Sequence, residues 1–410
     1  MADDMGYECV GAYGSSLSTP NLDRAAERGM LFRHAHSQPL CTPTRVQIMT
    51  GLYNNRNYEQ FGYLNPRETT FGNLLRDAGY ATCIAGKWQL SGDAGTVKAF
   101  GFDEHCLWNM HAYREGPGSP SAKEPGEWRK RYRDPCLYRN GEWIRPGADA
   151  YGPDVCCDFI SSFMGRNRDK PFLVYYPMIL THSPFEPTPH SKDWNAAGGK
   201  GFGKQQHFAD MVAYTDYLVG KIQSRLEELK LADDTVLVFT GDNGTHRDMK
   251  TPQQQGNPVE GGKGRTTDFG THVPLIAWGK GIRGGVRSDA LVDFTDVLPT
   301  LLDVADVAPP DSLKLDGHSL EPVLTGAEAA GRRQAVFCYY DPRWGKGRVK
   351  RAFARDREYK LYASGHFYNV ANDPKEERDL SQGPLTADQK AICERLRAVV
   401  VQHLGRSALK

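Results

Sequence analysis

The chain reads as an α/β protein: a large, mostly parallel sheet flanked by helices, with a smaller C-terminal α+β unit. Three observations predict this. Short, almost continuously apolar runs recur and stop at glycine or polar residues, as strands buried on both faces do. Amphipathic helical patterns lie between them, the alternation that builds parallel sheets. From about residue 333 the runs shorten and crowd together, as antiparallel strands do. The 410 residues therefore divide into a large unit, 1–332, and a small one, 333–410.

The strands end in polar signatures. Tyr80 to Ala85 runs into Gly86-Lys87-Trp88-Gln89, and Phe172 to Tyr176 leads through Pro177 to Thr181-His182-Ser183-Pro184. Thr235 to Thr240 ends at Gly241-Asp242-Asn243-Gly244, and Pro274 to Trp278 ends at Gly279. All four read as buried parallel strands. A helix over 70–78 stops at Gly79, and one over 208–229 carries Met211, Val212, Thr215, Leu218, Val219 and Ile222 at helical spacing. Residues 105–155 read as an inserted loop region over the cleft, with 186–206 and 245–265 similar in texture. In the small unit, strands over 335–340, 348–355, 359–363 and 366–370 precede a helix. Thr386 opens it with Gln389 as a capping box, and Ile392, Leu396, Val399, Val400 and Leu404 form its apolar stripe.

Cys41-Thr42-Pro43-Thr44-Arg45 sits where a helix begins. Thr42 suits the N-cap and Pro43 the first helical position. Cys41 would then face free N–H groups, the positive end of a helix and the Arg45 guanidinium, a setting that suits an oxyanion ester. An ordinary buried cysteine before a capped helix has the same pattern. Ligands of doubly wound sheets gather beyond the carboxyl ends of strands. Lys87, His182, Asp242 and Asn243 fall at or near such ends and so converge on one cleft. Asp3-Asp4 and Asp242-Asn243 offer oxygen donors for Ca²⁺ or Mg²⁺, though acidic pairs also serve as caps and solvated surface. Lys87 and Lys263 stand in glycine contexts that let backbone approach an anion, or simply form surface loops. His182 suits either a general acid or a polar turn before a proline.

A net charge of +1 gives no electrostatic reason to expect nucleic acid or an anionic membrane. No run is long and apolar enough to span a bilayer. Nine cysteines, an odd number without a CxxC pair or zinc spacing, leave the redox compartment open.

The C-x-P-x-R of Cys41 to Arg45, followed by Thr50-Gly51, resembles the marker of type I sulfatases of the alkaline phosphatase superfamily. Further blocks resemble that family in order: Asp3-Asp4-Met5-Gly6-Tyr7, Gly79-Tyr80 through Trp88, Thr181 to Pro184, Gly241 to Gly244, Gly261 to Thr267, and Phe367 to Glu377 near the end. The likeness covers nearly the whole chain. It implies that a maturation enzyme converts Cys41 to Cα-formylglycine, whose hydrated aldehyde attacks a sulfate ester and expels sulfate as the aldehyde reforms. By the same resemblance Asp3, Asp4, Asp242, Asn243 and the modified Cys41 hold Ca²⁺. Arg45 stabilises the hydrated aldehyde, Lys87 and Lys263 bind sulfate oxygens, and His182 protonates the leaving oxygen. Gln89 and His246 are further candidates for contact with substrate.

Two departures stand out. Gln89 occupies a place where the family often has a histidine, and glutamine is no base near neutral pH. The family's first central strand would precede the Asp-Asp pair, so a longer natural chain is expected, with the two aspartates here hanging from a free terminus beside a gap in the sheet. Family resemblance favours a periplasmic or secreted protein, although no signal peptide is visible. The expected partner is a sulfated small molecule or glycan, with Trp108, Tyr113, Trp128 and Trp143 suited to stacking on a sugar ring. A phosphonate or phosphate diester hydrolase and a catalytically impaired sulfated-glycan binder are the rival readings.

Overall fold

In the computed structural model, which describes residues 1–108, 130–195, 205–343 and 349–406, the apolar runs become strands of one broad sheet. The first half consists of β2 (Ala81–Lys87), β3 (Glu104–Trp108), β4 (Leu137–Arg139), β5 (Glu142–Ile144) and β6 (Phe172–Tyr175), in the order β5-β4-β3-β2-β6. The second is built from β1 (Met30–His36), β7 (Val236–Thr240), β10 (Leu275–Gly279) and β11 (Val286–Asp293), in the order β11-β1-β10-β7. A two-stranded ribbon, β8 (Lys250–Thr251) and β9 (Val259–Glu260), lies apart from both.

Met1–Asp3 joins the halves. Ala2 bridges Gly241 in parallel, with its N–H donating to Thr240 O at 2.7 Å and Asp242 N–H donating to Ala2 O at 2.9 Å. On the other side Met178 N–H donates to Met1 O at 2.8 Å, Asp3 N–H to Leu180 O at 2.7 Å, and Thr181 N–H to Asp3 O at 2.6 Å. The expected gap is therefore filled, and the acidic pair does not hang loose: Asp3 and Asp4 are fully buried.

The fold class holds with one correction in detail. β2 runs parallel to β3 and β6, and β1 parallel to β11, but β10 runs antiparallel to both β1 and β7. An apolar run reports burial on two faces, not direction. Alternate residues of β2 enter opposite cores, Cys83 and Ala85 on one side and Ile84 on the other, as strand geometry requires. Helices Gly152–Arg166 and Gln205–Glu228 cover the first face. Phe71–Asp77 and Val297–Val304 pack over the second. The former is closed at its start by a capping box between Thr70 and Asn73.

The region expected as an inserted loop is only partly so. It contributes β3, the β4–β5 hairpin and the start of a long helix, while Tyr113 and Trp128 lie outside the described residues. Its short strands are cut by charge and glycine, which hides their alternation. β1 and β11 escaped the reading for the same reason: Arg33, His34 and His36 interrupt one, and Arg287, Ser288 and Asp289 the other.

The C-terminal strands β12 (Val336–Tyr340), β13 (Arg351–Arg355), β14 (Tyr359–Tyr362) and β15 (Phe367–Asn369) form the antiparallel sheet expected. Helix Ala387–Leu404 opens on the Thr386–Gln389 capping box and lays Leu396 and Val400 against Ala354, Leu361 and Phe367. The opposite face, with Cys338, Tyr340, Phe353 and Tyr362, packs on Leu40, Cys41 and Phe61. The small sheet is thus a wall beside Cys41.

A histidine stack beneath the main sheet makes stability depend on pH. His272 stacks on Tyr7, with ring centroids 4.0 Å apart, and lies 5.1 Å from His36. Burial pushes His36 well below its ordinary value and His272 down to about 4. Arg355 adds to both shifts, whereas Asp268 opposes it at His272. The unfolded chain takes up these protons near pH 6.5 and the folded one does not, so stability is full above 6.5 and is lost as pH falls toward 4. For His272 alone the loss is about 3 kcal/mol. Urea midpoints at pH 7 and pH 5 check this; equal midpoints would refute it.

Candidate active site

The site is built where the seam of the sheet meets helix Cys41–Thr50. The helix begins at Cys41 itself, two residues before Pro43, with Leu40 in extended conformation as its N-cap and no side-chain cap. Thr42 therefore does not cap it; its hydroxyl accepts from Gly62 N–H at 3.2 Å. All ten residues of the helix are buried. It ends at Gly51, whose φ of 67° is the left-handed turn glycine makes without strain.

The expected residues converge. Arg45 donates from Nη2 to Asp242 Oδ2 and from Nη1 to Lys87 O, both at 2.9 Å. The Lys87 ammonium lies 2.7 Å from Asp3 Oδ2, and the Lys263 ammonium 2.6 Å from Asp4 Oδ2. Asn243 Nδ2 donates to Asp4 Oδ1 at 2.9 Å, and Asp4 N–H to Asp242 Oδ1 at 3.0 Å. Asp4 holds a φ of 60°, a strained value for a non-glycine residue, of the kind that clusters at functional sites.

Charge is tightly balanced here. Burial opposes ionisation of Asp3 and Asp4, yet Lys87 beside the first and Lys263 beside the second hold both carboxyls below their ordinary value. Asp242 pairs with Arg45, yet burial and the charge on Asp3 outweigh Arg45 and Lys87 and push it up to about 7. Burial raises the Cys41 thiol, although Lys87 and Lys263 pull the other way. An unmodified Cys41 is thus mainly the weakly nucleophilic thiol at neutral pH.

His182 joins the cluster at 3.8 Å from Asp4 Oδ2 through Nε2, while Nδ1 lies 2.6 Å from Ser183 O. With Nδ1–H donating to that carbonyl, Nε2 is the acceptor nitrogen of a neutral ring. Burial and the charge on Lys263 push the imidazole well below its ordinary value. Gln89 lies just past the end of β2 with φ 55°, and its Oε1 is buried without a hydrogen-bond partner. His246 stays outside the cluster, edge-on to Phe185 at 5.4 Å and 3.8 Å from Asp248. Trp108 is buried, and Trp143, partly buried, packs on Tyr138 with centroids 5.1 Å apart.

The donor set fits a hard divalent cation. Among the described residues Asp3, Asp4 and His182 offer ligand atoms within 4.8 Å of one another, and buried Asp242 and Asn243 adjoin them, Asn243 Oδ1 having no hydrogen-bond partner. Lysine ammonium groups balance two of those carboxylates without a metal.

The sequence did not disclose the supports. Thr245 Oγ1 accepts from Gly6 N–H at 3.1 Å and donates to buried Glu8, tying the Asp3-Asp4 turn to the Asp242-Asn243 turn. Burial pushes Glu8 up to about 7. Lys360 and Tyr362 of the small sheet bond Thr266, three residues beyond Lys263, and both also bond Glu376. Closeness in sequence to the acidic pairs could have flagged Glu8 and Thr245. Nothing local could have flagged Lys360.

Carboxylates and lysines thus gather at strand ends, with a helix-borne Cys41 beside an antiparallel C-terminal sheet. The family pattern described as Sulfatase matches residues 1–307, and that described as N-sulphoglucosamine sulphohydrolase, C-terminal, matches 267–402. N-acetylgalactosamine-6-sulfatase of Canis lupus familiaris is 31% identical, over 83% of this chain and 67% of its own. Steryl-sulfatase of Mus musculus is 28% identical, over 83% and 66%. The chain thus spans about two thirds of these relatives. The solved structure of Ps i-CgsB in complex with k-i-k-neocarrahexaose superposes with a TM-score of 0.78 at 25% identity, over 99% of this chain and 92% of the other. This chain belongs to the sulfatase family of the alkaline phosphatase superfamily.

Proposed function

We propose that this chain hydrolyses a sulfate ester carried by a carbohydrate, using Cys41 in its formylglycine form. The observation that carries the reading is the pair of lysines, Lys87 and Lys263, each held against a buried aspartate and both acting on Cys41. Calcium would be held by Asp3, Asp4, Asp242 and Asn243; it supplies Lewis-acid charge, as the formylglycine supplies a self-regenerating hydroxyl nucleophile.

The chain's own groups do the rest. Arg45, locked by Asp242 and the Lys87 carbonyl, fixes positive charge on the first turns of the Cys41 helix. Lys87 and Lys263 present ammonium groups to sulfate oxygens, already oriented by their aspartates, so little reorganisation accompanies charge build-up. His182, neutral and partly buried, faces the cluster through Nε2 and can take a proton there before passing it to a leaving oxygen. The surrounding wall of Leu40, Phe61, Tyr340 and Phe353 keeps water sparse. A carbohydrate is favoured over an aryl or steryl group by the sugar-directed relative and by the neocarrahexaose-bound structure.

Two measurements test this. The tryptic peptide holding Cys41, from a host with a formylglycine-forming enzyme, is expected to be about 18 Da lighter than its cysteine form, the change from CH₂SH to CHO that creates the nucleophile. Sulfate release from an aryl sulfate is expected to exceed release from an aryl phosphodiester; the reverse preference overturns the sulfatase assignment in favour of a diesterase.

Gln89 raises a separate expectation. A positioned base typically contributes about 10²–10⁴-fold, yet His182 already offers an acceptor nitrogen in the cluster. Gln89→His is therefore expected to change kcat by less than about threefold, far below that range. A rise of a hundredfold would show that sulfate release waits on the absent base.

A further inference from the structure

A guanidinium outside the cluster faces the same end of the sheet. Arg131 sits on a backbone segment clamped to the start of helix Gly152–Arg166: Gly152 N–H donates to Tyr132 O at 2.8 Å, and Arg133 bridges Tyr151. A side chain at position 152 would come within 1.9 Å of Arg131 O, so the approach depends on that glycine. From this fixed base the Arg131 side chain spans two walls of the cleft. Its Cζ lies 4.5 Å from the centre of the Trp108 ring, and Trp108 is the β3 residue paired with Lys87. Its Nη2 donates to the carbonyl of Ser183, next to His182, and the neighbouring Tyr132 hydroxyl donates to the His182 carbonyl.

Among the described residues this group has no ion-pair partner, although Glu186 feels its charge. Its Nε is buried with no acceptor. Glu186, whose carboxyl feels the charge of Arg131, is itself pushed up by burial. A planar cation partly exposed on an aromatic face, beside His182, can take an oxyanion through its remaining N–H donors. Lys87 and Lys263, by contrast, each have a paired carboxylate, Asp3 and Asp4.

We propose that Arg131 binds a second anionic group, sulfate or carboxylate, on the leaving-group side of the substrate. Its natural substrate class is then a sulfated glycan carrying at least one further negative charge. The inference rests on reading the site as a sulfate-ester hydrolase.

The test compares wild type, Arg131→Met and Arg131→Lys on four sulfate esters: an aryl sulfate, a neutral monosulfated disaccharide, a disulfated disaccharide, and a monosulfated disaccharide with a uronate carboxylate. Arg131→Met is expected to lower kcat/KM about 10- to 100-fold on the last two, the worth of a charge-assisted contact. On the first two it should stay within about threefold, and Arg131→Lys should recover part of the loss. The disulfated and uronate substrates distinguish sulfate from carboxylate as the second group. Equal losses on all four, or a wild type indifferent to the second anion, overturn the proposal in favour of a packing role. Calorimetric binding of the disulfated disaccharide provides a readout independent of turnover. Arg131-dependent binding without sulfate release on any ester supports Arg131 while refuting the hydrolase reading; binding unchanged in Arg131→Met refutes Arg131 alone.

Discussion

Cys41→Ala is expected to abolish sulfate release, by a factor on the order of 10⁴ or more, as removal of a covalent nucleophile does elsewhere. The loss should be catalytic and not structural. Cys41 packs among Leu40, Phe61, Cys338, Tyr340 and Phe353, and trimming one sulfur there costs about 1 kcal/mol, small beside the stability of a large core. Circular dichroism and the urea midpoint should therefore stay close to wild type while turnover vanishes. The remaining positive site should still bind inorganic sulfate, because Lys87, Lys263 and Arg45 are untouched. A Cys41→Ala protein that turns over within tenfold of wild type would remove Cys41 from the mechanism altogether.

Calcium removal is expected to be as damaging to activity, and it leaves a second signature in stability. Asp3, Asp4 and Asp242 are all fully buried, each paired with one cation, Lys87, Lys263 or Arg45, while burial still pushes Asp242 up to about 7. Adding Ca²⁺ to chelated protein should raise the melting temperature, by about 2.7 kcal/mol of stabilisation at a hundredfold excess over Kd. Activity should return over the same concentration range. Asp4→Asn is expected to weaken both responses together, since it removes the charge that Lys263 and Asn243 now share. Thermal unfolding with and without chelator provides the check that does not depend on turnover. Identical melting curves for wild type in calcium and in chelator would refute a calcium site there.

Much of this architecture was legible because it is written locally. The Thr386–Gln389 capping box and the strand ends at Lys87 and Asp242 follow from residues a few positions apart. What was missed depends on contacts distant in sequence. The direction of β10 is set by its partners β1 and β7, and no run of Leu, Ile, Ala and Trp encodes it. Met1–Asp3 looked unsupported because its bonding partners lie near residues 178 and 240. Lys360, a fully buried lysine, makes sense only beside Thr266 and Glu376. The cluster itself was readable as a set of chemically apt residues; its internal pairing of Lys87 with Asp3 and Lys263 with Asp4 was not.

The wall that the small sheet raises beside Cys41 also has a meaning in time. Every residue from Cys41 to Thr50 is buried, and the strands covering Cys41 begin only at Val336. An enzyme that is to alter the Cys41 thiol must meet it while the segment is still unfolded. Synthesis of the roughly 300 residues between them, at about 5–20 residues per second, leaves an interval of about 15–60 s. On the function proposed above, the order of the chain then acts as a timer: the thiol appears early, its cover arrives late, and conversion of Cys41 belongs to the nascent protein.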